Sequence, residues 1–211
     1  MFIAILTYDQ WEILFIHKKG KNMITSLYPQ FQKWSLHGAV WIISDPHFDD
    51  EDCKYINPDW PTPYEYINRI KPYVGKNDTL ICLGDVGDPV YFDRFNCYKV
   101  LITGNHDTGA STYLKNTKYK TGFFDEVYNG PLFIADRILL SHEPIYGLED
   151  ICLNIHGHVH QSFFYTRGHF NLAADVMNWE PFNLGAAIKN GLLADYKNYH
   201  RIMIEQRISK E

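Results

Sequence analysis

Five short apolar runs rich in β-branched residues punctuate the chain from residue 39 onward, and each stops abruptly at small polar, carboxylate or histidine residues. AVWIIS runs into Asp45, TLICLG into Asp85, KVLIT into Gly104, RILLS into His142 and ICLNI into His156. Continuous apolar runs of this length predict strands covered on both faces. The residues able to do chemistry then fall just past the C-terminal ends of strands, where open α/β sheets place their sites.

The intervening segments carry other periods. PTPYEYINRIKPYV sets Tyr66, Ile67, Ile70 and Val74 near helical spacing with Pro63 at a tolerated first-turn position, which predicts a covering helix interrupted near Pro72. Downstream, SFFYTRGHFNLAADVMNW predicts two strands joined by an Arg167-Gly168 turn, and GAAIKNGLLADY predicts a short helix. Residues 1–38 read differently. MFIAILTY and WEILFIHKK suggest two short strands around Asp9-Gln10, Lys18 to Asn22 a turn, and ITSLYPQFQKW fits either helix or loop. The expected organisation is an extension over 1–38, packed on or beside the core, and a main domain over 39–211.

Composition narrows the class. The 211 residues are 45% apolar, enough to bury roughly 70% of the unfolded surface around a single core. The charge of -5 comes from 25 acids and 20 bases without a long basic block, so nucleic acid is not an expected partner. The first apolar run, Met1 to Leu6, meets Asp9 and Glu12 at once and lacks a basic flank, and no other segment is long enough to span a bilayer. The four cysteines, Cys53, Cys82, Cys97 and Cys152, form no C-x-x-C pair and read as reduced packing residues. The expectation is a cytoplasmic protein with no membrane association. The apolar strands at 1–17 could add to a sheet edge or join copies of the chain into a homo-oligomer.

The candidate chemistry is dense. On an extended backbone Asp45 and His47, two residues apart, point the same way and could share one metal ion. Asp85 projects from a strand end after Gly84, and its carboxylate could bridge two cations. Gly104-Asn105-His106-Asp107 combines a neutral oxygen ligand, a titratable imidazole and an acid. Asn105 could bind metal through its carbonyl oxygen, His106 could protonate a leaving group or stabilise phosphoryl charge, and Asp107 could orient His106. His142 follows RILLS. The alternating His156, His158 and His160 follow a strand, and the glycine between the first two lets His158 and His160 diverge onto different ions. His156 is better explained by packing, and Asp88 by capping. Two divalent ions against two carboxylates leave a charge of about +2, which would attract phosphate and make hydroxide from a water bridging ions about 3.5 to 4 Å apart. A structural zinc site would close four positions around one ion, usually with cysteine.

The ordered set Asp45-x-His47, Gly84-Asp85, Gly104-Asn105-His106-Asp107, His142 and Gly157-His158-x-His160 resembles the calcineurin-like metallophosphoesterase superfamily over about residues 39 to 180. SDPHF, ITGNHD, LSHEP, HGHVH and NLAADVMNWEPFNL make the chain most similar to its small bacterial and phage members. The resemblance implies an α/β fold, a four-layer α-β-β-α sandwich of two mixed sheets flanked by helices, over 39–211. It implies a first metal held by Asp45, His47, Asp85 and His160, and a second held by Asp85, Asn105, His142 and His158. His106 would be the catalytic histidine, paired with Asp107. Manganese, iron, zinc and nickel serve such sites, and manganese is the ion expected for an intracellular enzyme.

The function so implied is dinuclear-metal-dependent hydrolysis of phosphomonoesters or small phosphodiesters of nucleotide or cyclic-nucleotide type, with a small phosphate ester as partner. A protein phosphatase or nuclease of the same superfamily is one alternative. A non-catalytic interaction module on this fold, as in a retromer subunit, is another, although such proteins tend to lose the catalytic histidine that His106 matches. The superfamily pattern does not account for residues 1–38, and the short interval from Asp85 to Gly104 leaves little room for a substrate-selecting cap. Selection then falls to other segments, such as the loop from Phe48 to Pro63 with Tyr55, Trp60 and the acids Asp49, Asp50, Glu51 and Asp52.

Overall fold

The computed structural model of the chain describes residues 29–115, 122–135, 137–162 and 167–196. The strands expected within 1–17, the turn at 18–22 and the first arm of the expected hairpin at 163–166 lie outside the described residues. All five apolar runs form strands. The first three are β1 (Val40–Ile43), β2 (Thr79–Cys82) and β3 (Tyr98–Ile102). Then come β4 (Glu126–Tyr128) and β5 (Leu132–Ala135), and the last two runs are β6 (Ile138–Leu140) and β7 (Leu153–His156). β8 (His169–Asn171) and β9 (Phe182–Asn183) complete the described strands. The helices are α1 (Pro29–Ser35), α2 (Cys53–Ile56), α3 (Pro63–Ile70) and α4 (Leu184–Lys189).

Two mixed sheets result. The first has the order β4-β3-β2-β1-β9, parallel except for β9, and the second has the order β5-β6-β7-β8, parallel except for β5. Alternation along each strand divides the apolar residues between two cores. Val40, Ile42, Ile81, Leu83, Val100 and Ile102 meet Ile134, Ile138, Leu140, Leu153 and Ile155 between the sheets. Ile43, Leu80, Cys82 and Leu101 face the other way, toward Tyr66, Ile67 and Ile70 of α3. Both faces of β1, β2 and β3 are therefore buried, which is why these strands read as unbroken apolar runs.

α3 starts where its sequence signals. The Thr62 hydroxyl accepts the Glu65 N–H, the Glu65 carboxylate accepts the Thr62 N–H, and Pro63 takes the first turn. It stops before Pro72, which has no N–H to continue the ladder. Val74 lies past its end but still packs on the outer core. The ambiguous segment before β1 is helical at α1. Its Trp34 is 2% exposed in the inter-sheet core. Glu126 on β4 receives hydrogen bonds from Lys33 at 2.5 Å, Trp34 at 3.1 Å and Tyr98 at 2.7 Å, and a further one from Tyr128. This carboxylate fastens α1 across the edge of the sandwich.

Candidate metal centre

The strands end in step: Ile43 pairs with Cys82 and Cys82 with Leu101. The loops beyond them stay side by side. The Asp45 N–H donates to Gly84 O at 3.1 Å, His47 N–H to Asp85 O at 3.0 Å and Phe48 N–H to Val86 O at 3.0 Å. From the second sheet, Gly157 N–H donates to His142 O at 2.9 Å, and His158 N–H reaches both Asp45 oxygens at 3.0 Å. Gly157 is required at this crossing, since a Cβ there would lie 2.0 Å from Asp45 Oδ2 and 2.0 Å from Ser44 Oγ.

Asp45 and His47 are not extended, as their spacing suggested, but left-handed, with φ of 52° and 42°. Two sharp reversals, rather than a pleat, turn their side chains to a common point. Asp85, His158 and His160 share this conformation, with φ of 52°, 66° and 45°. Left-handed backbone at residues other than glycine costs of order 1–3 kcal/mol each and persists where the surroundings over-determine it.

Six of the seven candidate ligands form two trios. Asp45, His47 and His160 bring ligand atoms within 4.8 Å of one another, as do Asp85, His142 and His158. The seventh, Asn105, places Oδ1 2.9 Å from His142 Nε2. Asp85 Oδ2 stands between the trios, 3.2 Å from His142 Nε2 and 3.7 Å from His47 Nε2. A third grouping, His47 with Asp50 and Cys53, backs the His47 ring, and burial pushes its thiol up to about 12.

The hydrogen bonds on the outer side fix the ring tautomers. His142 Nδ1 donates to the Leu83 carbonyl at 2.8 Å, His47 Nδ1 to Asp50 at 3.2 Å and His160 Nδ1 to Asp175 at 3.1 Å. Each neutral ring must then present the Nε2 lone pair inward. For His142 that lone pair faces Asn105 Oδ1, Asp85 Oδ2 and, at 3.2 Å, His158 Nδ1. His47 Nε2 is buried without any hydrogen-bond partner. Lone pairs converging with two buried carboxylates repel one another unless a cation lies among them, so this donor set fits divalent metal ions.

Charge in the metal-free protein follows the same logic. Burial pushes the Asp45 carboxyl up. Burial also raises Asp85, but the His142 hydrogen bond prevails and holds it down to about 2. For His142 and His160 burial lowers the pKa, and the hydrogen bonds to Asp85 and Asp175 with the surrounding carboxylates outweigh it, leaving both raised above 6.5. A histidine raised on folding stabilises fully below its unfolded value, and the gain is lost as pH rises through the folded value. The chelator-treated protein is therefore expected to melt higher near pH 6 than near pH 9. His142→Asn and His160→Asn should flatten that slope. A melting temperature that rises across this window by calorimetry would refute the pairing.

His106 is exposed at the mouth, its ring 5.6 Å from that of His47 and its N–H donating to Asp85 Oδ1 at 2.9 Å. Adjacency paired Asp107 with His106, but the structure gives Asp107 different partners. Its carboxylate accepts the N–H groups of Asp85 at 2.8 Å, Val86 at 2.9 Å and Gly104 at 2.8 Å. Asp107 ties the β2 and β3 loops together. Asp88 caps the 3-10 turn Pro89–Arg94 through the Val90 N–H. His156 is fully buried and lowered to about 4 by burial, consistent with packing.

Sequence reasoning missed Asp175, which orients His160, because no local pattern links residues 15 positions apart. It also missed the use of Asp50, which orients the His47 ring from within an acidic run whose simpler reading is a solvated loop. Trp60 packs edge-on against both His47 at 6.0 Å and His160 at 5.8 Å, and Trp179 backs it at 6.0 Å. Tyr55, named with Trp60 as a selector, is 89% exposed. Among the described residues no helix is long and apolar enough to cross a membrane, and the four cysteines are unpaired.

Comparison with known proteins adds to this geometry. The sequence model of the calcineurin-like phosphoesterase family matches residues 38–200. The crystal structure of AQ665 from Aquifex aeolicus, a protein of unknown function, is similar, with a TM-score of 0.56 and 23% identity over 72% of this chain and 98% of that one. That likeness concerns the fold alone. No curated protein matches.

Proposed function

The chain belongs to the calcineurin-like phosphoesterase family, and we propose that it hydrolyses phosphomonoesters or small phosphodiesters, of nucleotide or cyclic-nucleotide type, with two divalent cations. In this reading Asp45, His47, Asp85 and His160 hold one ion, and Asp85, Asn105, His142 and His158 the other, with manganese favoured. The observation that carries it is the inward-facing set of imidazole lone pairs around Asp85 Oδ2, with His47 Nε2 buried and unpartnered.

When bound, the cations supply Lewis acidity that activates water and neutralises phosphoryl charge. The chain's own residues arrange the rest. Asp50, Asp175 and the Leu83 carbonyl hold three imidazoles in the ligating tautomer. Asp107 fixes the separation of the loops bearing Asp85 and Asn105. Trp60 excludes water from the flank formed by His47 and His160. His106, exposed above these groups, hydrogen-bonds a phosphoryl oxygen or protonates the departing oxygen.

The deciding experiment strips the protein with chelator, restores Mn2+, Zn2+ or Ni2+ separately, and compares a monoester with a diester. Hydrolysis that vanishes on stripping and returns with metal is the expected result. Failure of every metal-restored sample to cleave a broad phosphoester panel would remove the enzyme reading.

A further inference from the structure

A cleft of about 360 Å³ opens beside Asn105 and His142, with walls from Thr103, Pro131, Glu143, Pro144 and Ile145. That size is at the low end for small-molecule sites. One wall is rigidly built. Asn154, 1% exposed, accepts the Ile145 N–H at 2.7 Å and donates to Ser141 Oγ at 2.8 Å. Ser141 Oγ in turn donates to the Glu143 carbonyl at 2.6 Å, and His169 Nε2 donates to Ile145 O at 3.0 Å. A buried amide and an imidazole thus hold residues 141–145 in one shape, and pre-organisation of this kind is what a binding wall needs. No candidate ligand is itself a partner in these bonds.

The geometry points to this cleft as the subsite for the organic part of the substrate, selecting phosphate esters of a compact alcohol that is uncharged or bears an amine. The inference rests on the phosphoesterase reading and names its substrate class. The prolines and Ile145 offer apolar surface, and Thr103 offers one hydroxyl. Among the described residues, the only ionisable side chain in the lining outside the ligand set is the carboxylate of Glu143. A second phosphate or a carboxylate on the alcohol would meet that like charge, whereas an ammonium or a neutral ring would not. Because Asn105 and His142 line both cleft and centre, the cleft lies within reach of the alcohol of an ester whose phosphoryl group sits at the centre.

The test uses metal-loaded protein with phenyl, methyl and 4-carboxyphenyl phosphate. Wild type should prefer phenyl to methyl and disfavour carboxyphenyl. Ile145→Trp, which fills the cleft while keeping the backbone bonds, should reduce the phenyl-over-methyl ratio of kcat/KM about tenfold. Glu143→Lys should shift the carboxyphenyl-to-phenyl ratio roughly fivefold toward carboxyphenyl. Unchanged ratios in both variants would overturn the subsite. Should no ester be cleaved, the phosphoesterase reading fails separately, and calorimetric binding of phenylphosphonate against methylphosphonate to wild type and Ile145→Trp still decides the cleft. An equal affinity ratio in the two proteins overturns it.

Discussion

Asp85→Asn is expected to lower metal-dependent turnover by about a thousandfold while leaving the fold intact. Its carboxylate reaches the imidazoles of both trios through one oxygen, with Oδ2 at 3.2 Å from His142 Nε2 and 3.7 Å from His47 Nε2. Asparagine has the same shape, so the packing and the Oδ1 bond from the His106 N–H survive. What is lost is half of the formal negative charge among the seven proposed ligands, and the oxygen able to serve two cations at once. Lewis-acid stabilisation of several kcal/mol corresponds to about three orders of magnitude in rate. Metal content after desalting should fall below two ions per chain, measured by mass spectrometry beside kcat/KM and the melting curve. A variant that keeps two ions and wild-type turnover would show that Asp85 is not the shared ligand.

The elements that position Asp85 are unevenly legible in the sequence. Strands buried on both faces were visible because burial leaves no polar positions, as in Val40–Ile43 and Thr79–Cys82. The edge strands of the first sheet were not. Glu126–Tyr128 is half-buried throughout, and its glutamate is committed to four donors that lie up to 93 positions away. Phe182–Asn183 is two residues long, too short for any period. The helix Pro63–Ile70 was legible because its capping box and proline are local signals, whereas the carboxylates that orient His47 and His160 act through contacts that only the fold creates.

Backbone conformation is the other hidden layer. Asp45 and His47 do converge with His160, but through left-handed turns that no side-chain pattern encodes. Five such residues among the seven candidate ligands store strain of order 1–3 kcal/mol each. The paired loops offset it through ladder-like bonds beyond β1 and β2, the His158 N–H on Asp45 and the three N–H groups gathered by Asp107. Asp107 thus belongs to the scaffold of the centre. Its neighbour in sequence does different work, since successive residues seldom face the same way.

That separation makes His106→Ala the sharper probe of chemistry. The His106 ring is exposed and its position is set by a backbone bond to Asp85, which alanine keeps. Removing the imidazole should therefore leave metal content and melting temperature at wild-type values while kcat falls between about a hundredfold and ten-thousandfold, the range for one positioned proton donor. Leaving groups then separate its two possible duties. A proton donor matters most when the departing alkoxide is strongly basic, so the defect should be deeper for alkyl phosphates than for 4-nitrophenyl phosphate. A group that only hydrogen-bonds phosphoryl oxygens would slow both esters alike. Loss of bound metal in His106→Ala would place the ring among the ligands instead, and unchanged turnover on both esters would remove it from the reaction.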